Sequence, residues 1–496
     1  MLKELRQLLK HATIYSLGNV LGKVVGFFMI PFYTHYLTPA DYGTLELLDL
    51  SLSLTGLVLT MWLNASIIRH YNDFDDPRDR KQVVSTVLLL ACFIGVVVAV
   101  SGIYLSRPLS VLILNTPHLH WYVSLEALSF LVTSVSVACL SYLRAMRRSV
   151  LVVSTGLAGL VLSLCLNIYF IAIRHSGAVG VLYSGLISST LVTVPLAVYT
   201  VRQVGLRFSF RKLRDIVVFG APLILTSAAA FTVNFSDRFF LRHFSTISVV
   251  GVYALGYKFG FLLSLLVVQP FDMIWQARIY DIARQSESRS LFGRLFEYYC
   301  LVLVTAALAL SIAIKELLSI ICPPGFHDAY KIVPIVALAY IFQGANRFFL
   351  AGAYVAKRTR NLGIVGLASA AANIGLNLFL IPRYGMLGAA WATACSFFLM
   401  STLALYVSQK VYYIPYVFSR VGVLFGLAAF IYMSSGLIRL DVLVLQMSVK
   451  CAMFLAFPIA LYLAGFFDKH EVEKGRAIAQ QVLSRWRLLR AAELGR

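Results

Sequence analysis

Charge is scarce in this chain, and negative charge most of all. Only 13% of its 496 residues are Asp, Glu, Lys or Arg, with 22 acids against 43 bases, about half the charged share of a soluble domain. That is too little polar side chain to coat a soluble globule. Cysteine is sparse and scattered. Of seven, Cys92, Cys139, Cys165, Cys300, Cys395 and Cys451 lie inside apolar runs, and no Cys-x-x-Cys pair occurs, so neither a disulfide framework nor a zinc site follows. Also missing are a Walker A sequence, a Gly-x-Gly-x-x-Gly loop, a His-Glu-x-x-His helix and any polar stretch large enough to hold a nucleotide, so ATP-driven work within this chain is not expected. The net charge of +21 is spread over short loops rather than gathered on a polar face, which speaks for anionic lipid headgroups and against nucleic acid. No cofactor is implied.

What fills the space is apolar. At 59% hydrophobic and mean hydropathy +0.81, the chain carries roughly 290 apolar side chains, enough for about fourteen spans of about 20 residues. The predicted fold is all-α and polytopic. Apolar runs between polar or Gly/Pro breaks place spans near 11–36, 41–68, 82–106, 119–143, 150–173 and 178–201. A second six fall near 216–241, 248–275, 294–320, 331–356, 361–381 and 385–409, and a final pair near 416–437 and 442–466. The first run is too long for a signal-peptide core and is expected to be retained. Basic residues in alternate loops sum to about 31 on one side and about 7 on the other, which predicts both termini cytoplasmic.

The basic stretch 202–215 divides the first twelve spans into an N-lobe, 1–201, and a C-lobe, 216–410. Spans 13 and 14 fill 411–467 and a tail runs over 468–496. The lobes share a pattern. Thr38, Gly43, Gly177 and Gly180 recur as Thr246, Gly251, Gly385 and Gly388, an offset of 208, and Asn167 meets Asn377 at 210. Duplication with both copies starting on one side predicts a parallel repeat about an axis along the membrane normal, and lobes able to rock around a cavity. In the tail, Ile478, Val482, Trp486 and Leu489 recur at helical spacing opposite Lys and Arg, the pattern of an amphipathic helix lying on the inner leaflet.

The run Pro31-Phe-Tyr-Thr-His-Tyr-Leu-Thr-Pro-Ala-Asp-Tyr-Gly43 and the segment Asn234-Phe-Ser-Asp-Arg-Phe-Phe240 resemble bacterial polysaccharide flippases. With the fourteen-span plan, the chain resembles the Wzx-type branch of the multidrug/oligosaccharidyl-lipid/polysaccharide superfamily. The resemblance implies an inner-membrane flippase that moves an undecaprenyl-pyrophosphate-linked oligosaccharide outward for O-antigen, capsule or exopolysaccharide assembly. It also implies a polysaccharide polymerase and chain-length proteins as partners. A lipid II flippase or a multidrug exporter of the superfamily is the nearer alternative, and a membrane glycosyltransferase or ligase the more distant one. For an enzyme, His118, His120, Glu316, His327 and Asp328 in the outer loops are the available groups.

A charge inside a span costs several kcal/mol unless it meets water or a partner, so each is a candidate site residue. Lys23, between Gly22 and Gly26, and Lys258, between Gly256 and Gly260, each lie in a Gly-x-x-x-Gly frame. Such a frame either opens space for a pyrophosphate around the ammonium or packs helices. Basic residues on the same two spans line the cavity of the lipid II branch. Arg347 and Arg238 are further candidates for phosphate, although Arg238 beside Asp237 equally reads as a local ion pair. Arg144, Arg147 and Arg148, mirrored by Lys357, Arg358 and Arg360, fit a cytoplasmic mouth or plain positive-inside bias. Among the acids, Glu46 and Asp49 share a face of span 2, with Glu126 early in span 4, and carboxylates that close share a proton. Asp237, Asn373, Asn377 and Thr393 form a hard-oxygen set suited to sodium. The lipid II branch is similar there but uses a second acid where this chain has Asn377, so proton and sodium coupling both stand.

Overall fold

The computed structural model describes residue 22 and residues 24–467 apart from 359, 439 and 441. Lys23 and the amphipathic tail lie outside the described residues. Among the described residues there is no strand, and 12 helices are long and apolar enough to cross a bilayer. One of these, Leu362–Gln409, runs 48 residues and breaks at Gly385 (φ 55°, ψ −130°), so it supplies two spans. Helical residues 24–36 belong to the first expected span. The protein is an all-α, multi-pass membrane protein, as its hydropathy predicts.

Local sequence sets some helix starts, through caps at Thr38, Asp76 and Ser209. After α1 (24–36), Thr38 and Asp41 cap α2 (Pro39–Leu59) reciprocally. The Thr38 hydroxyl accepts from the Asp41 N–H at 3.2 Å, the Asp41 carboxylate accepts from the Thr38 N–H at 3.1 Å, and Pro39 takes the first helical position, where it needs no N–H partner. The Thr-Pro-Ala-Asp of the sequence motif is thus a helix cap. Then follow α3 (Met61–Asp73), α4 (Pro77–Tyr104), α5 (Ser106–Leu114), α6 (His120–Ala145), α7 (Ser149–Asn167), α8 (Gly177–Val204) and α9 (Phe210–Phe244). α10 (Ile247–Leu263) passes through a π-helical turn, Ser264–Val268, into α11 (Gln269–Ala283). After α12 (Ser288–Ile321) a 3₁₀ segment, Pro324–Lys331, leads to α13 (Val333–Phe349), α14 (Ala351–Val355), α15 (Arg360–Gln409), α16 (Phe418–Leu437) and α17 (Leu443–Leu463).

The recurring glycines take equivalent conformations. Gly177 and Gly385 both sit at positive φ, 59° and 55°, a region that a Cβ disfavours. Their partners Gly180 and Gly388 each lie against the helix that precedes the break, on Phe170 and on the Leu380 carbonyl. Arg147 and Lys357, an offset of 210, both have φ 57°. Gly43 and Gly251 meet each other: a Cβ built on Gly43 would lie 2.9 Å from the Gly251 nitrogen, and one on Gly251 2.9 Å from the Gly43 nitrogen. α2 and α10 therefore cross backbone to backbone one turn after Thr38 and Thr246.

The chain forms two compact units. The first comprises the described residues up to Gly260, Leu318–Ala339 and the stretch ending at Ala404. The second comprises Phe261–Leu317, Tyr340–Arg358 and the described residues from Leu405 onward. Within the second unit α12 holds the final helix pair through two ion pairs. Glu297 meets Arg420 of α16 at 3.0 Å, and Glu316 meets Lys450 of α17 at 2.6 Å, with the Gln446 amide donating to the same Glu316 oxygen at 2.8 Å.

Candidate functional site

Three helices of the first unit carry polar side chains at helical spacing on otherwise apolar surfaces. On α2 these are Tyr42, Glu46 and Asp49; on α6, Glu126, Ser129 and Thr133; on α8, Ser189, one turn after Gly185. Intervals of three and four keep each set on one face. The faces converge, with Tyr33 of α1 and Lys258 of α10, on a cavity of about 360 Å³. Three carboxylates and one ammonium thus line a cavity within spans, where an unserved charge is costly.

Lys258 is partnered yet accessible. Its ammonium lies 3.3 Å from the Glu46 carboxylate, donates to the Tyr42 hydroxyl at 3.0 Å and sits 4.6 Å from the Tyr42 ring centre, while 47% of the side chain stays exposed. The frame around it does not open space for a headgroup. A Cβ on Gly256 would strike the Ala329 carbonyl oxygen at 2.6 Å, and one on Gly260 would strike Val336, so both glycines serve close packing on the 3₁₀ segment and α13. Lys258, two residues on from Gly256, points about 200° around the helix from that packed face.

Glu46 faces two cations. Its second oxygen lies 3.6 Å from Arg238 Nε. Arg238 is 1% exposed, pairs with Asp237 at 2.7 Å and packs 3.8 Å from the Tyr257 ring centre. Its guanidinium is buried between the carboxylates of Asp237 and Glu46 and is not among the groups that line the cavity. The other Asp237 oxygen accepts from the Tyr253 hydroxyl and, at 3.3 Å, from Thr393. Asn377 donates to Asn373 at 2.9 Å, and Ser236 bonds both at 3.1 and 3.4 Å. The four residues expected to hold sodium are thus all buried but fall into two hydrogen-bonded sets, Asp237 with Thr393 and Asn373 with Asn377, and Asp237 already has a cation in Arg238. Asn377 Oδ1 is buried without a hydrogen-bond partner.

Asp49 and Glu126 line the cavity, and among the described residues neither has a basic side chain within ion-pair distance. Arg347 belongs to the second unit, 3.7 Å from Asp272 of α11, an acid 75 positions away that spacing alone does not pair with it. Of the outer-loop residues, Glu316 binds Lys450, Asp328 binds Lys331 at 2.7 Å, and a ring nitrogen of His327 lies 2.9 Å from the Cys322 carbonyl oxygen. Tyr42, Ser129, Thr133 and Ser189 escaped the sequence reading, although a polar stripe at intervals of three and four on an apolar helix was there to find.

The profile of a family described as polysaccharide biosynthesis protein matches residues 8–274, more than half of the chain. The chain belongs to this polysaccharide biosynthesis family. A relative in Haemophilus influenzae, Lsg locus putative protein 1, is 23% identical over 286 residues, covering 56% of this chain and 67% of its own. The fold matches the lipid II flippase MurJ in an inward closed conformation at TM-score 0.73 and 13% identity, over 92% of this chain and 100% of that one. An inward-facing multidrug resistance transporter of the MATE family, in the MOP superfamily, matches at TM-score 0.61 and 14% identity, over 84% and 95%. This member of the family therefore has the fold of flippases and exporters, not that of a glycosyltransferase or ligase.

Proposed function

We propose that the protein is an alternating-access flippase that carries an undecaprenyl-pyrophosphate-linked oligosaccharide from the cytoplasmic to the outer leaflet of the bacterial inner membrane, supplying O-antigen, capsule or exopolysaccharide assembly. The observation that carries this reading is the intramembrane cavity with Lys258 half exposed beside Glu46. A span tolerates such a group when it serves a polar cargo or an ion. The family's place in polysaccharide biosynthesis supports an anionic lipid-linked cargo over a cationic drug.

The site's chemistry follows from sharing. While Glu46 is ionised it engages Lys258; once protonated it releases the ammonium to an anionic headgroup. Asp49 and Glu126, on the same cavity wall, are placed to deliver and take that proton. A proton gradient then drives the cycle, with the two lobes rocking about their common axis. A sodium ion at Asp237 and Thr393 is the second reading, favoured by the unpartnered Asn377 Oδ1. Purified protein in liposomes, given a fluorescent undecaprenyl-pyrophosphate sugar, should translocate it under a proton gradient and lose that dependence on Glu46→Gln. Translocation driven by sodium alone, and lost on Thr393→Val in protein that stays folded, would select the second reading. No translocation under either gradient would refute both.

A further inference from the structure

The second unit contains another cavity, of about 280 Å³, which the coupling chemistry does not use. Its polar and aromatic lining is Asp272, Trp275 and Gln276 of α11 with Tyr280, Arg347 and Tyr354. It holds one acid and one base, so it has no net charge to attract a pyrophosphate. Hydrogen-bonding capacity remains open. Arg347 Nε is buried with no hydrogen-bond partner, and its 3.7 Å separation from Asp272 is too long for a direct hydrogen bond. The Arg347 side chain as a whole stays 37% exposed and that of Asp272 20%, so a ligand hydroxyl can accept from the guanidinium and donate to the carboxylate. Gln276, which donates to Asp272 at 3.3 Å, adds an amide oxygen. Tyr280 and Tyr354 line the cavity, and Trp275 is fixed in the wall by its N–H to the Arg347 carbonyl oxygen at 3.2 Å.

We infer that this cavity binds one neutral sugar ring of the cargo oligosaccharide, recognised by the Asp272–Arg347 pair. Donors and acceptors side by side, flanked by aromatic rings, suit a polyhydroxylated ring and not an anion. The volume, about 280 Å³, falls just below the range of drug-sized sites, roughly 300–1,000 Å³, which sets the occupant at a single ring. The assignment of the sugar to the transported cargo rests on the flippase reading; the binding itself does not.

Trp275 gives the test. The purified full-length protein is titrated with hexoses, 6-deoxyhexoses and N-acetylhexosamines, and separately with sodium pyrophosphate, while tryptophan emission is followed. At least one sugar should change the emission saturably. Asp272→Asn should weaken that response tenfold or more, Trp275→Phe should silence it, and pyrophosphate should not compete. Where Asp272→Asn fails to fold, Gln276→Ala replaces it and should weaken binding at least threefold. Silence across the panel, an unaltered response in the folded variants, or competition by pyrophosphate overturns the site. Sugar binding without lipid translocation in liposomes would count against the flippase reading and leave the site standing. Translocation without sugar binding would remove the site alone.

Discussion

Glu46 is the residue on which the first site turns, because it is shared by a cation that faces the cavity and one that does not. Removing the Lys258 charge should cost transport more than fold: Lys258→Ala is expected to lower translocation at least tenfold and Lys258→Arg less, with little change in the unfolding temperature. Arg238 gives the opposite result. Asp237→Asn removes the nearer of the two carboxylates paired with the buried guanidinium and leaves Glu46 at 3.6 Å, and unpairing a buried ion costs about 3–5 kcal/mol, so a clear fall in thermal midpoint in detergent should accompany any loss of transport. Sequence reasoning found these charges because membrane burial makes each one expensive. It could not join Glu46 to Lys258, or Asp272 to Arg347, because those pairs are made by helix crossings between distant segments.

Among the elements, α12 shows how the final helix pair is held. Lys450 lies inside the expected span near 442–466, and its partner Glu316, counted among the outer-loop groups, lies at the end of the expected span near 294–320. Lys450→Ala should strand the Glu316 carboxylate and destabilise the second unit by about 3 kcal/mol or more. Lys450→Met combined with Glu316→Leu should restore most of that, measured by thermal unfolding in detergent. A double variant as unstable as Lys450→Ala would mean that the pair is not what binds α17. The Gly256 and Gly260 frame teaches a related lesson: the spacing was legible, but which face it served depended on α13, whose position spacing does not give. Gly256→Leu should therefore disrupt folding, whereas a frame that only admitted a headgroup would tolerate it.

For the whole molecule, hydropathy was enough to give the all-α membrane class and the spans, since twenty apolar residues have few other fates in a chain this poor in charge. The capping box at Thr38 and the broken helix at Gly385 were also legible, being local. Orientation rests on the basic-residue asymmetry and has its own check. In a variant lacking Cys92, Cys165, Cys395 and Cys451, a membrane-impermeant maleimide added to whole cells should label His118→Cys and not Arg211→Cys; the reverse would invert the topology.

Gly43 and Gly251 touch at positions 208 residues apart, and under the duplication proposed from that offset the contact has a historical consequence. In a dimer of identical six-span chains, a residue on the twofold axis faces itself, so one mutation would introduce two side chains into one gap at once. Joining the copies into a single gene halves the damage per mutation but does not widen the gap. Either glycine alone still has the other's backbone within 2.9 Å of where its Cβ would stand, so neither position is free to take a side chain.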